Sequence, residues 1–517
     1  MVDIKNNINE VNTKDRILFW IDVSLIQFGI AKILQQKIDS DLYVIYDLGH
    51  KLKKSFKNQK LVDFKDEWYF WEHIGKIKDP DIEYLSQIES KYRINLWSLA
   101  LSERNFYKYN PFYRFTRKEI LSIFEQECRF FEKVLNKVNP DFLIIKTTDF
   151  HRNYLLTEIC RAKNIKILML TSSRLANRSS VTSQSDTIDY VSSDKIDNNI
   201  KINSFEELKE FFKKRSKSTM KSIGNAAGMN YPQYKKILPG IKWFTTTVDK
   251  EFGKSYDHYG VTRWKGLSHY FSYSLKGRIR KNYIDNNSCK KIDLDKKFIF
   301  FPLQVQPERN VDLDAPFYAN QIEVVTSIAK AMPVDYNLFV KEHPSMRFRH
   351  WREINDYKEI LALPNVKLIN PSTKPDEFLE NCELVITIAG SGGLEAMLYK
   401  KPAIVFVDTI YASLPSVHRL TNLEDLPNVI RESLKTEVKL SDVNILLNHL
   451  ENNSFNFDLP GHYNEILAKF HREGFMISDE IDMDELNLFF EKHKDKYEIL
   501  TMEHIKKIKI INSFKEK

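Results

Sequence analysis

Between residues 296 and 407 the sequence alternates short apolar runs of strand length with stretches of helical spacing. When a strand, a helix and a second strand follow one another in this way, the two strands lie parallel in one sheet and the helix packs on its face. The segment therefore predicts a doubly wound α/β domain, which binds ligands at the carboxyl ends of its strands. The predicted strands cover residues 296–302, 337–341, 366–369, 384–388 and 403–407, and the predicted helices cover 318–331, 351–361, 375–381 and 393–399.

The first 200 residues contain two further strand–helix–strand units, which predict a second parallel sheet. Residues 66–137, between these units, are predicted to be mainly helical. The polar tract 179–199 is predicted to be a loop because it has no apolar period. The first unit has strands at 16–23 and 42–46 around a helix at 25–38, and the second has strands at 141–146 and 165–170 around a helix at 153–163.

These patterns predict two Rossmann-like, doubly wound parallel-sheet domains that face a cleft, with helical insertions and a helical C-terminal tail. A chain of 517 residues is too long for one ordinary core, which agrees with two domains. This is the plan of the GT-B fold. The predicted division is a flexible N-terminus at 1–14, an N-terminal Rossmann-like domain at 15–200, a helical connecting segment at 201–290, a C-terminal Rossmann-like domain at 291–430 and a helical C-terminal extension at 431–517.

The composition argues against several classes of protein. The chain has 78 basic and 70 acidic residues, and a net charge of +8 is mild for this length. Such a balance suits anionic substrates or an anionic membrane surface, but it does not indicate a nucleic-acid binder. The four cysteines lie far apart without a C-x-x-C pair, so we expect reduced thiols and no zinc site. No apolar run approaches the roughly 18 to 20 residues of a membrane span, and the first residues lack a signal core, so a cytoplasmic protein is expected.

A glycine-rich turn follows the predicted strand at 384–388, in the sequence TIAGSGGLEAMLYKK (387–401). Glycines permit close backbone approach, and the start of the next helix directs amide groups toward an anion. The turn therefore predicts a phosphate or diphosphate site, although a plain glycine-rich turn would look similar. It is not a P-loop, because no Gly-Lys-Ser/Thr closes it. The predicted nucleotide-sugar ligands are Gly390, Ser391, Gly392 and Gly393, with Glu395 placed to accept hydrogen bonds from ribose hydroxyls.

Two more polar motifs follow predicted strands of the same domain. KEHP (341–344) offers Lys341 and His343, and an imidazole can donate to a phosphate oxygen or protonate a leaving group near neutral pH. Pro344 stiffens the loop that presents it. QVQPE (304–308) places Gln306 and Glu308 at the same edge, where Glu308 is a candidate catalytic carboxylate, ribose ligand or helix cap.

The first domain contributes a motif of its own, TTDFHR (147–152), after the strand at 141–146. Asp149 is a candidate catalytic base or nucleophile, and equally a helix N-cap. His151 is a candidate catalytic residue. Arg152, together with Arg174 and Arg178 after the next strand, is predicted to bind a carboxylate of the acceptor or donor, the alternative being ordinary surface arginines.

Four motifs of the sequence together resemble the capsule polysaccharide biosynthesis family, which includes the β-Kdo transferases of bacterial capsule assembly. They are QPE at 306–308, APFYANQ at 315–321, KEHP at 341–344 and AGSGGLEAMLYKKPAIVF at 389–406. The resemblance is specific within residues 296–411 and weaker within 141–178. It implies a GT-B glycosyltransferase in the synthesis of a surface glycan.

The His-Pro pair and the serine turn are also similar to the CMP-binding motifs of several bacterial sialyltransferases. By this resemblance His343 and Ser391 contact the phosphate of CMP, and Glu395 contacts its ribose. The resemblance further implies a CMP-linked donor carrying Kdo or another acidic sugar, with no metal and no cofactor beyond the nucleotide-sugar cosubstrate.

Other functions share parts of this pattern. A CDP-polyol phosphotransferase of the teichoic-acid type has a His-Pro element, but TIAGSG (387–392) lacks its acidic-aromatic-serine pattern. A nucleotide-sugar 2-epimerase also pairs a glycine-serine turn with a glutamate. A UDP-sugar-dependent GT-B transferase and a non-catalytic nucleotide-sugar-binding subunit complete the alternatives.

The expected partners are the nucleotide-sugar donor and a lipid-linked or oligosaccharide acceptor, with no nucleic acid. A lipid-linked acceptor implies peripheral contact with anionic lipids of the inner leaflet. Two basic stretches with interspersed apolar residues are predicted to make this contact, at 209–221 and at 505–517.

Overall fold

A computed structural model describes residues 14–106, 108–175, 177–189, 200–214, 244–245, 255–290, 296–471 and 479–515. Its strands form two sheets, one of seven strands and one of six. The strands are β1 (Asp15–Ile21), β2 (Ser40–Tyr46), β3 (Asp66–Tyr69), β4 (Phe142–Lys146), β5 (Lys166–Ser172), β6 (Arg178–Thr182), β7 (Phe298–Pro302), β8 (Asn337–Lys341), β9 (Val366–Ile369), β10 (Leu384–Thr387), β11 (Ala403–Val405), β12 (Val417–Arg419) and β13 (Phe455–Asn456).

The first sheet has the strand order β13-β6-β5-β4-β1-β2-β3. Strands β3, β2, β1, β4 and β5 are parallel, whereas β6 and β13 pair antiparallel at one edge. In β1, Ile17 and Phe19 pack into one buried cluster and Leu18 and Trp20 into another. Because successive side chains point to opposite faces, this strand is apolar from Ile17 to Ile21, as expected for a sheet covered on both sides. Strand β6 overlaps the start of the tract 179–199, which was predicted to be a loop, because residues 179–182 pair with β5.

The second sheet is entirely parallel, in the order β12-β11-β10-β7-β8-β9. Two buried clusters cover its faces, and each takes alternate residues of the same strands. The two sheets face each other across contacts between their carboxyl-end loops, for example Arg174 Nη2 to the carbonyl oxygen of Ala389, 3.4 Å away. The predicted GT-B arrangement of two Rossmann-like domains around a cleft is confirmed.

The helices fill the faces of both sheets. They are α1 (Ile26–Lys37), α2 (His50–Phe56), α3 (Phe70–His73), α4 (Ile82–Tyr92), α5 (Leu96–Ser102), α6 (Arg117–Val138), α7 (His151–Ala162), α8 (Arg263–Asn287), α9 (Arg309–Asp312), α10 (Gln321–Ala331), α11 (Ile354–Leu361), α12 (Pro375–Asn381), α13 (Gly392–Leu398), α14 (Leu426–Ser433), α15 (Leu440–Asn452), α16 (Leu459–Phe470), α17 (Met483–Lys492) and α18 (Lys494–Lys515).

The C-terminal segment returns to the first domain. Helix α15 packs on the second domain, then β13 joins the edge of the first sheet, and α16, α17 and α18 contribute to the first-domain core. Three isoleucines of the basic stretch at 505–517 are therefore not available to a membrane, because Ile505, Ile508 and Ile511 are buried in that core. The structure corrects the prediction for these three residues, since their face of α18 covers the chain's own first domain. Phe514 of the same stretch is 60% exposed.

The other basic stretch, 209–221, lies outside the described residues from 215 onward. Among the described helices, none is long and apolar enough to cross a membrane.

Candidate functional site

Three predicted motifs meet at one edge of the second sheet. Strand β7 lies between β10 and β8, and all three are parallel, so their carboxyl ends point the same way. The glycine turn follows β10, the Gln304–Glu308 segment follows β7, and His343 follows β8. Side chains from distant parts of the chain are thereby brought to one rim of the cleft, as the crevice rule for open parallel sheets requires.

The glycine turn is held from behind by buried side chains. Thr387 Oγ1 lies 3.3 Å from the amide of Gly390, and the buried Gln304 side chain packs against the same turn, with Oε1 oriented to accept from that amide. The hydroxyl of Tyr411 donates to the Gly390 carbonyl. A methyl group added to Gly393 would lie 2.6 Å from the Tyr411 ring, so this glycine is required for packing as well as for any ligand.

The outer side of the turn presents polar groups. Ser391 precedes helix α13, and its hydroxyl donates to the Glu395 carboxylate at 2.7 Å. Both side chains are exposed. The first amides of a helix have no partner inside it, so the start of α13 adds donors beside this pair. The predicted phosphate and ribose contacts therefore stand together on the surface of the cleft.

One ring nitrogen of His343 is hydrogen-bonded within its own loop, and the other faces the cleft. Its Nδ1 accepts from the amide of Ser345 at 3.1 Å, which caps the short 3₁₀ helix Pro344–Arg349. An accepting Nδ1 places the ring proton of neutral histidine on Nε2. No described residue pairs with Nε2, and the side chain is exposed to the cleft. Desolvation by the cleft walls, aided by Lys341 and Arg352, lowers the pKa of His343, so near neutral pH Nε2 is a neutral donor.

Lys341 does not face the cleft as predicted, whereas Gln306 is held by its own loop and lines an interdomain cavity. The Lys341 ammonium is buried and donates to the Pro371 carbonyl at 3.1 Å, and burial lowers its pKa to about 8. The Gln306 amide donates to Asp312 and to the Ala319 carbonyl, both at 2.8 Å. Because each group already has its hydrogen-bond partners inside the fold, both residues position the loops.

A buried ion pair that the sequence motifs did not reveal connects these loops. Arg352 donates to the Glu342 carboxylate at 2.9 Å and to the Gln304 carbonyl at 2.5 Å, and the Tyr357 hydroxyl also donates to Glu342 at 2.8 Å. Glu342 is fully buried. The sequence signal that could have revealed this pair is Glu342 within KEHP, because a carboxylate that becomes buried next to a strand requires a positively charged or hydrogen-bonding partner. The pair joins the loop after β7 to the loop after β8.

Glu308 and Asp149 face the cleft from opposite domains. The Glu308 side chain reaches solvent, yet the surrounding walls crowd it, and this desolvation raises its pKa. Arg349 and Arg309 lower the pKa, whereas the negative charges of Asp312 and Asp149 raise it. Asp149 is partly exposed, and the Lys146 ammonium lies 3.6 Å from its carboxylate. The cleft thus contains two accessible carboxylates, and the charge of Asp149 raises the pKa of Glu308 across the domains.

His151 is not a cleft residue. It is fully buried, with Nδ1 2.8 Å from Glu103 and Nε2 3.1 Å from Glu127, and the Tyr256 hydroxyl donates to Glu127. The two carboxylates raise the pKa of His151 to about 9, although burial opposes this. A charged histidine between two glutamates cannot reach a substrate. The predicted catalytic role is corrected to a structural one.

The three predicted carboxylate-binding arginines already have acidic partners. Arg152 is buried and pairs with Asp47 at 2.9 Å and with Asp257 at 3.3 Å. The other two, Arg174 and Arg178, pair with Asp186 at 2.6 Å and with Glu451 at 3.0 Å. The Arg178 pair fixes β6 to the end of α15, and Arg178 also donates to the Ser454 hydroxyl at 2.8 Å, so Arg152 and Arg178 are both held by contacts within the fold.

Only Arg174 of these three lines an interdomain cavity, which has a volume of about 270 Å³. Thr148 and Asp186 of the first domain and Arg309 and Ala389 of the second also line it. A second cavity of about 670 Å³ lies between α5 and the loop before α10, with Trp97, Tyr109 and Phe317 in its wall. Cavities of this size between two domains are the usual place for small-molecule substrates.

A group of metal-ligand residue types lies away from the cleft, in the C-terminal segment. Ligand atoms of His462, Glu465 and His493 lie within 4.8 Å of one another. They already have partners, since His462 contacts Glu465 at 2.8 Å and the Tyr497 hydroxyl at 3.0 Å, and Lys496 donates to Glu465 at 2.7 Å. An ammonium on the only carboxylate opposes cation binding.

Comparison with known proteins finds a family match over the second domain and the segments on either side of it. Residues 246–453 match the family described as capsule polysaccharide biosynthesis protein. Protein FixF of Sinorhizobium fredii is 30% identical over 135 residues, 25% of this chain and 32% of FixF. Capsule polysaccharide modification protein LipB of Neisseria meningitidis is 26% identical over 186 residues, 34% of this chain and 44% of LipB. The matches thus span less than half the length of these relatives.

Solved structures give a more distant likeness. The β-Kdo 2,7 transferase KpsC of Thermosulfurimonas dismutans aligns with a TM-score of 0.27 at 12% identity, covering 65% of this chain and 90% of KpsC. The UDP-GlcNAc 2-epimerase of Methanocaldococcus jannaschii aligns with a TM-score of 0.24 at 15% identity, covering 89% of this chain and all of the epimerase. At such scores the fold assignment rests on the sheet topology itself. The resemblance expected from the motifs is confirmed by the family match, which includes all four of them.

Proposed function

We propose, from the match of residues 246–453 to the capsule polysaccharide biosynthesis family, that this protein is a glycosyltransferase of capsule or cell-surface polysaccharide synthesis. The proposed donor is a CMP-linked sugar, Kdo or another acidic sugar. The proposed acceptor is a lipid-linked or oligosaccharide glycan on the cytoplasmic side of the membrane. LipB, whose name assigns it to capsule polysaccharide modification, supports the pathway, and the cleft supports the chemistry.

The observation that carries the proposal is that His343, Ser391 and Glu395 lie at the same edge of the second sheet, after β8 and β10, which flank β7. His343 presents a neutral Nε2 donor, and Ser391 with the first amides of α13 presents further donors. These groups match a phosphate. Glu395 presents a carboxylate, which matches the hydroxyls of a ribose. A nucleoside monophosphate is the ligand that unites both chemistries.

The transfer needs a hydroxyl proton to leave the acceptor and a phosphate to leave the donor. As the acceptor oxygen forms its bond to the anomeric carbon, the bond from that carbon to the phosphate oxygen breaks, and CMP departs with the electron pair. His343 stabilises the growing charge on the phosphate by hydrogen bonding. The cleft offers two carboxylates for the acceptor proton, and Glu308, with its raised pKa, is the better matched to neutral pH. In this proposal no metal ion takes part.

Ligand-dependent melting tests the nucleotide. A ligand that binds only the folded state raises the melting temperature, so CMP is expected to raise it more than UDP or GDP at equal concentration. The variant His343→Asn should lose most of the CMP shift. A larger shift with UDP would contradict the CMP assignment and favour a UDP-sugar enzyme.

Donor turnover tests the activity. The protein should release CMP from a CMP-linked acidic sugar, slowly with water and faster with acceptor, and EDTA should leave the rate unchanged. A nucleotide shift without any donor cleavage would instead identify a non-catalytic binding subunit.

A further inference from the structure

Helix α8 carries a continuous apolar stripe on its solvent side. Its members are spaced three or four residues apart over about 22 Å, and at 100° per residue they occupy a sector of about 120°. Each is a large side chain that remains well exposed. They are Trp264 (68% exposed), Leu267 (37%), Phe271 (64%), Leu275 (59%) and Ile279 (52%).

The opposite face of α8 anchors the helix to the protein. Gly277, Arg280 and Ile284 are buried there. The Arg280 guanidinium donates to the carbonyl oxygen of Trp351 at 3.3 Å, and Gly277 lets the helix approach the ring of His350 closely. Because this packed face lies opposite, the stripe is a separate surface. Its Trp264 ring contacts Phe244, with 5.1 Å between the ring centroids, and its side chains remain exposed to water.

The charges that α8 itself carries around the stripe have one sign, and Glu353, which lies near Lys276 and Ile279, pairs with the buried Arg280. Lys265 and Lys276 border it on one side, Lys281 borders it on the other, and Arg278 lies within its sector. The only acidic residue of the helix is Asp285, beyond the end of the stripe, where Lys281 pairs with it. An apolar stripe with basic borders is the pattern of helices that lie on anionic bilayers.

We propose that α8 is a membrane-docking helix, which lies flat on an anionic lipid surface with Trp264, Phe271 and Leu275 inserted among the headgroups and upper acyl chains. Charge complementarity argues for this occupant. At an anionic bilayer the long Arg278 side chain, which lies within the sector of the stripe, reaches the phosphates while its apolar neighbours insert. The apolar side chains supply the insertion and the basic ones supply the attraction.

The position of α8 places the proposed membrane contact beside the cleft. The Tyr273 hydroxyl donates to the Arg349 carbonyl at 3.0 Å, next to the loop that presents His343, and the His269 ring contacts Phe112 of the first domain. The helix therefore runs beside the cleft and touches both domains. Docking through it holds the cleft opening near the lipid surface. The inference does not depend on the proposed transferase activity, since lipid binding is measured without turnover.

Flotation of the full chain with vesicles tests the stripe. The protein should float with vesicles of phosphatidylcholine and phosphatidylglycerol, bind roughly 10-fold less to phosphatidylcholine alone, and detach as salt rises. The double variant Phe271→Ser/Leu275→Ser should bind anionic vesicles at least roughly 10-fold less than the wild type. Ile445→Ser/Leu488→Ser, which removes two equally exposed apolar side chains elsewhere, is the matched control and should bind normally. Melting curves establish that each variant is folded.

Two further measurements locate the contact. Lys265→Glu/Lys276→Glu should abolish binding, whereas the control Lys435→Glu/Lys439→Glu, on exposed lysines of the second domain, should not. Brominated lipids should quench tryptophan fluorescence in the wild type and much less in Trp264→Phe.

Equal binding of vesicles by Phe271→Ser/Leu275→Ser and the wild type would overturn the proposal. So would self-association of the wild type that this variant abolishes without any change in vesicle binding, because the stripe would then be a protein interface.

Discussion

His343 combines a structural and a proposed chemical task in one ring. Nδ1 caps the 3₁₀ helix and Nε2 faces the cleft, so alanine would remove both functions at once. Asparagine separates them, since its side-chain oxygen is also a good N-cap acceptor. We expect His343→Asn to keep a near-normal melting temperature while turnover falls by roughly 10² to 10⁴, the range for a positioned acid or a lost charge-stabilising donor.

Initial rates of CMP release and thermal melts measure the two effects separately. His449→Ala, on α15 of the same domain, is the control for removal of a histidine. If His343→Asn retained full turnover, the imidazole would have only the capping task.

The contrast between His343 and His151 shows how far single residues could be predicted. Both follow a buried strand within a polar motif, and both were predicted to be catalytic. Their fates differ because of residues far away in sequence: Glu103 and Glu127 enclose His151, whereas the loop that follows His343 leaves its Nε2 in the cleft. A strand end predicts which edge a side chain reaches. It does not predict whether another helix covers that side chain.

At the scale of elements, the glycine turn illustrates two demands on the same residues. The predicted reason for Gly393 was approach to phosphate, but an added methyl group would lie 2.6 Å from the Tyr411 ring. Gly393→Ala is expected to destabilise the protein by about 1–3 kcal/mol, the usual cost of overpacking. Tyr411→Leu is also destabilising. If the ring is the obstacle, the double variant should be more stable than the sum of the single effects predicts.

Chemical denaturation of the four proteins gives this coupling energy. Strict additivity would mean that the ring yields without cost and that Gly393 is kept for another reason, such as ligand approach.

The C-terminal helix α18 offers a comparison within one element. Ile508 is buried in the first-domain core, whereas Ile499 on the same helix is 43% exposed. Removing buried methyl groups costs transfer free energy and leaves a cavity, so Ile508→Ala should lower the free energy of unfolding by about 2–4 kcal/mol. Ile499→Ala should cost well under about 1 kcal/mol. Equal small losses would mean that α18 is detached from the core in solution.

The positions of strands and helices along the chain were predicted better than the surfaces against which these elements pack. Short apolar runs identified the inner parallel strands of both sheets, because strands covered on both faces are rich in apolar residues. They did not identify the edge strands β3, which lies in the segment predicted to be helical, and β12, because DEWY and VHR are not apolar runs. The return of the tail was not predicted, since the pairing of Phe455 and Asn456 with β6 spans more than 270 residues and rests on two residue pairs. The periodicity of α18 showed an apolar face but not the surface that the face meets. For α8 the structure shows that the stripe remains uncovered.

At the scale of the whole molecule, residues of both domains affect the pKa of Glu308 in the cleft. The pKa of Glu308 is raised by desolvation in the cleft, and then by Asp149 of the opposite domain, while Arg349 of its own domain lowers it. If Glu308 is the titrating carboxylate, the acidic limb of the pH–rate profile reports its pKa. Neighbours of opposite charge should then shift that limb in opposite directions.

Asp149→Asn removes a negative neighbour, so the proton on Glu308 is held less tightly and the acidic limb should move to lower pH. Arg349→Gln removes a positive neighbour and should move the limb to higher pH. Asp335→Asn, at an exposed aspartate beyond the cleft, should leave it in place. The profile of kcat/KM against pH measures all three. Residual activity is enough, because the pH of the acidic limb is compared and not the maximal rate.

If Arg349→Gln shifts the limb but Asp149→Asn does not, the cleft is open in solution and the two carboxylates are too far apart to interact. If neither variant shifts the limb, the proton transfer belongs to a group other than Glu308.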